Sequence, residues 1–576
     1  MLVHVVSHTH WDREWYHTAE RFRQRLVPLI DELLDEAGES GFLLDGQTVL
    51  LEDYLAVRPE RASELSAALR SGKLEAGPWF VLADELIPGG EGLVRNLLAG
   101  ARTMRDLRAE SPPVLYCPDS FGHPAALPDI AAGFGKNLIV LWRGCRSEAD
   151  AFYWRGRDAW VLSYHLSRSG YELGANLPSD TEDAVARWQR ISAELAPRSA
   201  TGESLLLNGA DHHARQWNLP VALEALRAAA LPAETRPSTM ASFAHSLEQR
   251  ASAMRLSEAS GEMRDSYGYT WTLQGTLGSR AHQKRRYALA EHGLVRDVEP
   301  WMALARRATG HSRHFLTRAA WRDVLLCQPH DSLCGCSTDA VARAVDARLS
   351  SADAQSHGLR EEALYELAGH DRDRARTSPD KHQPVLLVRN PAARTRSGVA
   401  IVTIDTKIAD APVGPGSSAP RGTRRSVNGM VPAGLPVQVL DEAVVYSRIE
   451  APRAYPDNDL VLRQRAAVWL ENISGYGLTA AALTRARQRP VGPPDPVRVA
   501  GSRMANSALS ISWNARGAVA LREMSSGRVI NGLLAWESRE DVGDLYTPAI
   551  RRPKLKGRVL STGVVERGPL RATVEQ

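Results

Sequence analysis

Cysteine is scarce, with five in 576 residues. A small, odd set makes no disulfide framework, so the chain must hold itself together by core packing, and a reducing, cytoplasmic setting is expected. Long apolar runs are missing too. None approaches the ~18 residues a membrane span needs, and a strand begins at the second residue, leaving no room for a leader. Charge of one sign is also lacking: 71 basic against 67 acidic residues leave +4, spread along the chain. That balance gives no case for nucleic acid or an anionic membrane as partner. Phenylalanine is sparse, at 8 residues, but tryptophan is not, at 14. Several Trp stand beside histidine or acidic residues, a common way to hold a sugar ring, although core packing explains many Trp equally well.

What is present is organised around Val3-His4-Val5-Val6-Ser7-His8-Thr9-His10-Trp11-Asp12-Arg13-Glu14-Trp15-Tyr16. Leu2 to Val6 reads as a buried strand. His10-x-Asp12 puts two side chains on one side of an extended segment, and imidazole with carboxylate suits a zinc-like ion. Alone, the pair reads equally as a polar turn. The spacing then predicts a helix from Ala19 to Ala37, capped by Thr18, stopped by Gly38 and kinked or broken at Pro28.

Strands are expected at Phe42–Leu44, Leu74–Ala76, Val114–Cys117, Leu138–Trp142, Ala159–Tyr164 and Leu205–Leu207, alternating with helices. The alternation predicts an α/β domain with a mostly parallel sheet, spanning 1–265. His10, Asp12, Asp45, Asp119, Arg143 and Asp211 fall at or just past strand ends, the edge where such sheets bind ligands. Residues 266–375 read as a helical bundle, with His330 on a connecting turn after Pro329. Residues 376–576 read as a β-sandwich-like region, with a loop or linker at 411–435. The last residues look like a strand in progress, so an incomplete β region is expected.

Asp119 and Asp211 are the acids of interest. Glycoside cleavage needs two carboxyl groups across the scissile bond, but each aspartate could equally cap the helix that follows it. The ordered motifs extend this reading. His8 to Tyr16 resembles the opening of the glycoside hydrolase family 38 α-mannosidases, nearest to bacterial members of the mannosylglycerate-hydrolase kind. Leu44-Asp45-Gly46-Gln47-Thr48, Gly77-Pro78-Trp79-Phe80, Gly90-Glu91-Gly92-Leu93-Val94-Arg95-Asn96, Pro118-Asp119-Ser120-Phe121-Gly122, Leu141-Trp142-Arg143-Gly144, Asn208-Gly209-Ala210-Asp211 and Gln328-Pro329-His330-Asp331 follow in the family's order.

The resemblance implies one zinc per chain on His10, Asp12, Asp119 and His330. It implies Asp119 as nucleophile and Asp211 as acid/base, with Trp15, Phe121, Arg143 and Asp331 lining a mannose subsite. The substrate would be an α-mannoside or mannosyl oligosaccharide, and a homo-oligomer is possible. Two other readings compete. One is an amidohydrolase-type metal enzyme using His8-x-His10; the other is a zinc-dependent carbohydrate-binding protein without turnover. Bland readings stand beside the sharp ones: His8 as a structural histidine, Asp331 as a helix cap near Ser337, and Cys327, Cys334 and Cys336 as buried thiols rather than a thiolate zinc site.

Overall fold

A computed structural model describes residues 1–36, 41–266, 268–411, 428–451, 453–485, 491–534, 536–551 and 557–576. The chain divides into two compact units. The first holds Met1–Val298, Arg313–Leu359 and Val542–Ala549; the second holds Glu299–Ser312, Arg360–Asp541 and Ile550–Gln576.

The first unit opens with β1 (Leu2–His8), α1 (Ala19–Asp35), β2 (Phe42–Leu43), α2 (Val49–Leu55), α3 (Ala62–Ser71), β3 (Leu74–Glu75) and α4 (Gly90–Asp106). It continues through β4 (Val114–Cys117), α5 (Leu127–Gly133), β5 (Leu138–Leu141), β6 (Ala151–Arg155), β7 (Trp160–His165), α6 (Thr181–Leu195) and β8 (Glu203–Asn208). Then come α7 (Leu219–Ala229), β9 (Glu234–Pro237), α8 (Met240–Ser252), β10 (Ser257–Ser260) and α9 (Ala281–Gly293). After α10 (Glu299–Thr309), which belongs to the second unit, follow α11 (His314–Leu325), the short α12 (His330–Cys334) and α13 (Asp339–Ala368).

The strands fall into two five-stranded sheets rather than one. In the first, β3, β2, β1 and β8 run parallel, with β9 also parallel along Leu2–Val5 of β1. In the second, β4, β5 and β7 are parallel, β6 is antiparallel to β7, and β10 closes the order. β6, β9 and β10 are absent from the sequence reading; for β9 and β10 the reason is physical, since Glu234–Pro237 and Ser257–Ser260 are mostly polar and exposed and carry no apolar period.

β1 shows why parallel strands read as continuous apolar runs. Val6 joins Leu43, Tyr116, Val140, Tyr164, Leu207 and Phe243 in one core, whereas Val3 and Val5 pack with Trp188, Ile191 and Leu226 of α6 and α7 in another. Alternate residues thus face opposite cores, and both are lined by buried apolar side chains. α1 runs unbroken through Pro28, so of the kink or break expected there the break does not occur; Leu26, Leu29, Ile30 and Leu33 bury its face on both sides of the proline. Gly38 lies outside the described residues.

The second unit is antiparallel from residue 385 onward. Arg396–Asp410, Ala454–Ile473 and Val437–Ala451 form one three-stranded sheet, and a five-stranded meander spans Arg498–Ala500 to Val529–Leu533. Of the 411–435 segment, 412–427 lie outside the described residues, and Met430–Pro432 is a strand rather than loop. Among the described residues no helix is long and apolar enough to cross a membrane.

Asn96 of α4 has no exposed surface. Its Oδ1 accepts from the backbone N–H groups of Phe80 (2.7 Å) and Val81 (3.2 Å), and its Nδ2 donates to Val81 O and Gln328 Oε1. This one side chain fixes the loop from which the candidate site is reached. Asn96→Ala leaves these groups buried and unpaired, so unfolding stability should drop on the order of 3 kcal/mol; the denaturant midpoint, at unchanged slope, measures it.

Candidate active site

His10, Asp12 and Asp119 lie just past the ends of β1 and β4. The backbone of His10 is held beside Asp211 by His10 N–H to Ala210 O (3.3 Å) and His212 N–H to His10 O (2.8 Å). Gly209 permits that approach: a Cβ there would stand 1.9 Å from His8 O. His330 comes from elsewhere. It is the first residue of α12, not part of a turn as its proline neighbour suggested. Its N–H bonds to Leu82 O at 2.9 Å, while Ala83 and Pro329 form an antiparallel bridge.

Four side chains meet there. His10 Nε2 lies 3.1 Å from Asp12 Oδ1 and 3.9 Å from Asp119 Oδ2. His330 Nε2 lies 3.2 Å from Asp12 Oδ1 and 3.4 Å from Asp119 Oδ2. Yet His10 Nε2, Asp12 Oδ1 and His330 Nε2 are buried without a hydrogen-bond partner among the described residues. The ligand atoms of His10, Asp12 and His330 all lie within 4.8 Å of one another. Bonds of about 2.0–2.2 Å to one ion give donor separations of roughly 3–3.5 Å. The set therefore fits a divalent cation of the zinc type. His10, Asp12 and His330 form one of three groups with metal-ligand spacing among the described residues. His8 does not join it: its Nε2 faces Tyr171 O at 3.0 Å, and burial pushes its pKa down to about 4. Among the described residues His8 is in none of the three groups with metal-ligand spacing.

An outer layer sets the inner one. Asp45 Oδ2 lies 3.3 Å from His10 Nδ1 as an ion-pair contact and accepts hydrogen bonds from Trp11 N–H and Gln47 Nε2. Leu82 O faces His330 Nδ1 at 3.4 Å. Each imidazole thereby keeps Nε2 toward the centre. Glu14, fully buried, accepts from Ser332 Oγ at 2.8 Å and from both terminal nitrogens of Arg348 on α13. Burial opposes charge on His10 and His330, but Asp12 with Asp45, and Asp331 with Asp119 and Asp12, outweigh it and raise both well above the usual range. Burial likewise opposes ionisation of Asp12, yet His10 and His330 hold it well below the usual carboxylate range.

The two acids are treated differently. Asp119 is anchored through Oδ1 by Arg143 Nε (2.7 Å) and Nη2 (2.6 Å). Burial would raise its pKa, but the Arg143 guanidinium, with His330 and His10, lowers it. Asp211 accepts from the Tyr171 hydroxyl at 2.9 Å. Burial, helped by Asp12 and Asp119 against the pull of His10, raises it to about 6. No cap hydrogen bond from either acid is recorded at α5 or α7.

Phe121 sets its ring edge-on to His330 at 5.4 Å and stands 5.7 Å from the Arg143 guanidinium. Trp15 is hydrogen-bonded to Tyr546 of the Val542–Ala549 segment. Asp331 is buried with Oδ2 3.6 Å from His330 Nε2, so it caps no helix near Ser337; burial raises its pKa well above the usual range. Sequence reasoning missed Tyr171, whose ring packs on His10 at 4.7 Å, because a lone tyrosine in a one-turn helix carries no pattern. It missed Tyr546, which lies far along the chain, and the role of Glu14, whose partners are over 300 residues away.

Comparison with known proteins gives the fold and the family. The fold is that of an alpha-mannosidase from Enterococcus faecalis V583 (TM-score 0.87, 23% identity, covering 100% of this chain and 66% of that one). Residues 1–272 match the family description "Glycosyl hydrolases family 38 N-terminal domain", and residues 271–367 match "Alpha mannosidase middle domain". The chain belongs to glycosyl hydrolase family 38. A "Putative mannosylglycerate hydrolase" of Halalkalibacterium halodurans is 28% identical over 397 residues, 65% of this chain and 44% of that protein. "Alpha-mannosidase G" of Dictyostelium discoideum is 27% identical over 290 residues, 48% of this chain and 25% of that protein. The chain thus spans less than half the length of these curated relatives.

His330 is the donor whose loss tests the cluster. His330→Ala should lower bound metal from about one ion per chain to near none, because losing one of four donors sacrifices much of the binding energy. Elemental analysis after dialysis reads it. Unchanged far-ultraviolet circular dichroism would show that the sheets stay folded.

Proposed function

We propose that this chain is a retaining, zinc-dependent α-mannosidase that cleaves terminal α-mannosides, with residues 1–265, 266–375 and 376–576 as its catalytic, helical and β portions. The observation that carries the reading is the opposed tuning of two carboxyl groups on one rim: Asp119 lowered beside Arg143, Asp211 raised to about 6. Two acids whose environments push them apart can divide the roles of nucleophile and proton donor.

In this reading His10, Asp12, Asp119 and His330 hold one ion, which when bound would polarise sugar hydroxyls and fix the ring. Trp15, Phe121, Arg143 and Asp331 line the mannose subsite. Arg143 keeps the Asp119 carboxylate ionised and aimed. Asp119 attacks the anomeric carbon as Asp211 gives its proton to the leaving oxygen. Tyr171 supports both states of Asp211, because its phenol, pushed well up by burial and the surrounding carboxylates, stays a donor. Asp211 then takes a proton from water, which releases mannose with retained configuration.

The sign of the pH dependence follows. The donor must be protonated, and Asp211 titrates at about 6. Turnover of mannosides with poor leaving groups should therefore fall as pH rises past about 6, whereas a nitrophenyl mannoside should feel this much less. Asp211→Ala should slow the former by about 100-fold or more and spare glycosylation by the latter, with azide restoring deglycosylation. Asp119→Ala should be inactive with either substrate and unlabelled by a fluorinated mannosyl inactivator. Labelling elsewhere in the parent chain, or a product of inverted configuration, contradicts the assignment.

A further inference from the structure

Besides the four donors, the site contains two thiols that the proposed mechanism does not use. α12 ends at Cys334, and Gly335, with φ +88°, turns the chain back on itself. The turn brings Cys336 Sγ to 3.3 Å from Cys334 Sγ and 2.8 Å from Asp331 Oδ1, to which it donates. Cys334 is fully buried and Cys336 half-buried, in a cluster with Phe121, Leu273 and Ile87. Cys327 is separate, its Sγ donating to Asp323 O.

Asp331, Cys334 and Cys336 have metal-ligand spacing, but the distances argue against an ion. Two sulfurs on one zinc, each at about 2.3 Å, stand roughly 3.7 Å apart. The thiols here are closer, and the sulfur–oxygen contact closer still. A disulfide, by contrast, asks the sulfurs to approach by only about 1.3 Å further. A glycine between them, already left-handed, is the residue that lets the chain bend so tightly.

We propose that Cys334 and Cys336 are a site of reversible oxidation: a hydroperoxide closes them to a disulfide, which withdraws the Cys336 hydrogen bond from Asp331 in the sugar subsite. The steps balance. Cys336 Sγ attacks one peroxide oxygen and the O–O bond breaks. The thiol proton passes through Asp331 Oδ1 to the departing oxygen, which leaves as water (for an organic hydroperoxide, the alcohol). Cys334 Sγ then attacks the sulfenic sulfur, the S–O bond breaks, and the hydroxyl leaves with the Cys334 proton as water. Two thiols lose two electrons and the peroxide gains them. The small ring of a Cys-x-Cys disulfide is strained, so a dithiol reopens it. Asp331, left without that donor 3.6 Å from His330 Nε2, no longer presents the same face to a sugar.

The effect on turnover rests on the proposed function; the oxidation does not. The metal-loaded full chain is treated with dilute hydrogen peroxide, alkylated and digested. The tryptic peptide Asp323–Arg343 should carry one alkyl group, on Cys327, where the untreated chain carries three, and should weigh about 2 Da less than the singly alkylated dithiol peptide, with the bond between Cys334 and Cys336. Aryl mannoside turnover should fall about tenfold, the size of one lost hydrogen bond, and return with dithiothreitol. Cys334→Ala should show neither the disulfide nor the dithiothreitol-reversible loss. A peptide of unchanged mass, a bond to Cys327, added oxygens on Cys336 alone, or a disulfide with full turnover overturns the proposal. If the untreated chain turns over no mannoside, the peptide mass still decides the oxidation, and the proposed function falls separately.

Discussion

The site depends on one buried charge. Glu14 has no exposed surface, and its carboxylate is shared between Arg348 of α13 and Ser332 of α12. A carboxylate taken out of water without partners costs several kcal/mol, so the opening motif and α12 are stable only when docked together. Docking puts His330 beside His10 and Asp12. The same segment is fixed from the other side by Arg13, whose guanidinium meets Asp53 of α2 at 2.9 and 3.2 Å. Two adjacent charges of opposite sign, Arg13 bonded to α2 and Glu14 to α12 and α13, with Arg13 Nη1 4.0 Å from Glu14 Oε1, therefore hold the residues between Asp12 and Trp15 in place.

The geometry that follows is economical in its use of the two sheets. β1 of the first sheet and β4 of the second deliver His10, Asp12 and Asp119 with little more than a turn each. The helical segment contributes one donor, His330. Positive charge then divides the acids. Arg143 lies against Asp119 and not Asp211, which holds one carboxyl group low while burial among other carboxylates raises the other to about 6. Neither effect needs a special residue; each needs only that Arg143 leave β5 on the Asp119 side.

Much of this was legible in the sequence, and the rest was not for identifiable reasons. β1 and β4 read correctly because parallel strands are continuous apolar runs, and His10, Asp12, Asp119, Arg143 and Asp211 were found because they follow such runs. β9 and β10 escaped because they are polar. α1 passes through Pro28 because tertiary burial of Leu26, Leu29, Ile30 and Leu33 overrides a local signal. His330 was singled out, but its place at the head of a five-residue helix was hidden by Pro329, which reads as a break although it occupies the N-cap position. Tyr171 and the Glu14–Arg348 pair lay beyond any local reading, since only the fold brings Arg348 within reach of residue 14.

The central claim is that His10, Asp12, Asp119 and His330 converge on one ion. Anomalous diffraction at the zinc edge, on crystals of the full chain grown with zinc, tests it directly. The account predicts one strong peak about 2.0–2.3 Å from His10 Nε2, His330 Nε2 and one oxygen each of Asp12 and Asp119. A peak at Glu85, Cys117 and His123 or at Cys334 and Cys336 instead, or no peak within bonding distance of His330, would contradict it.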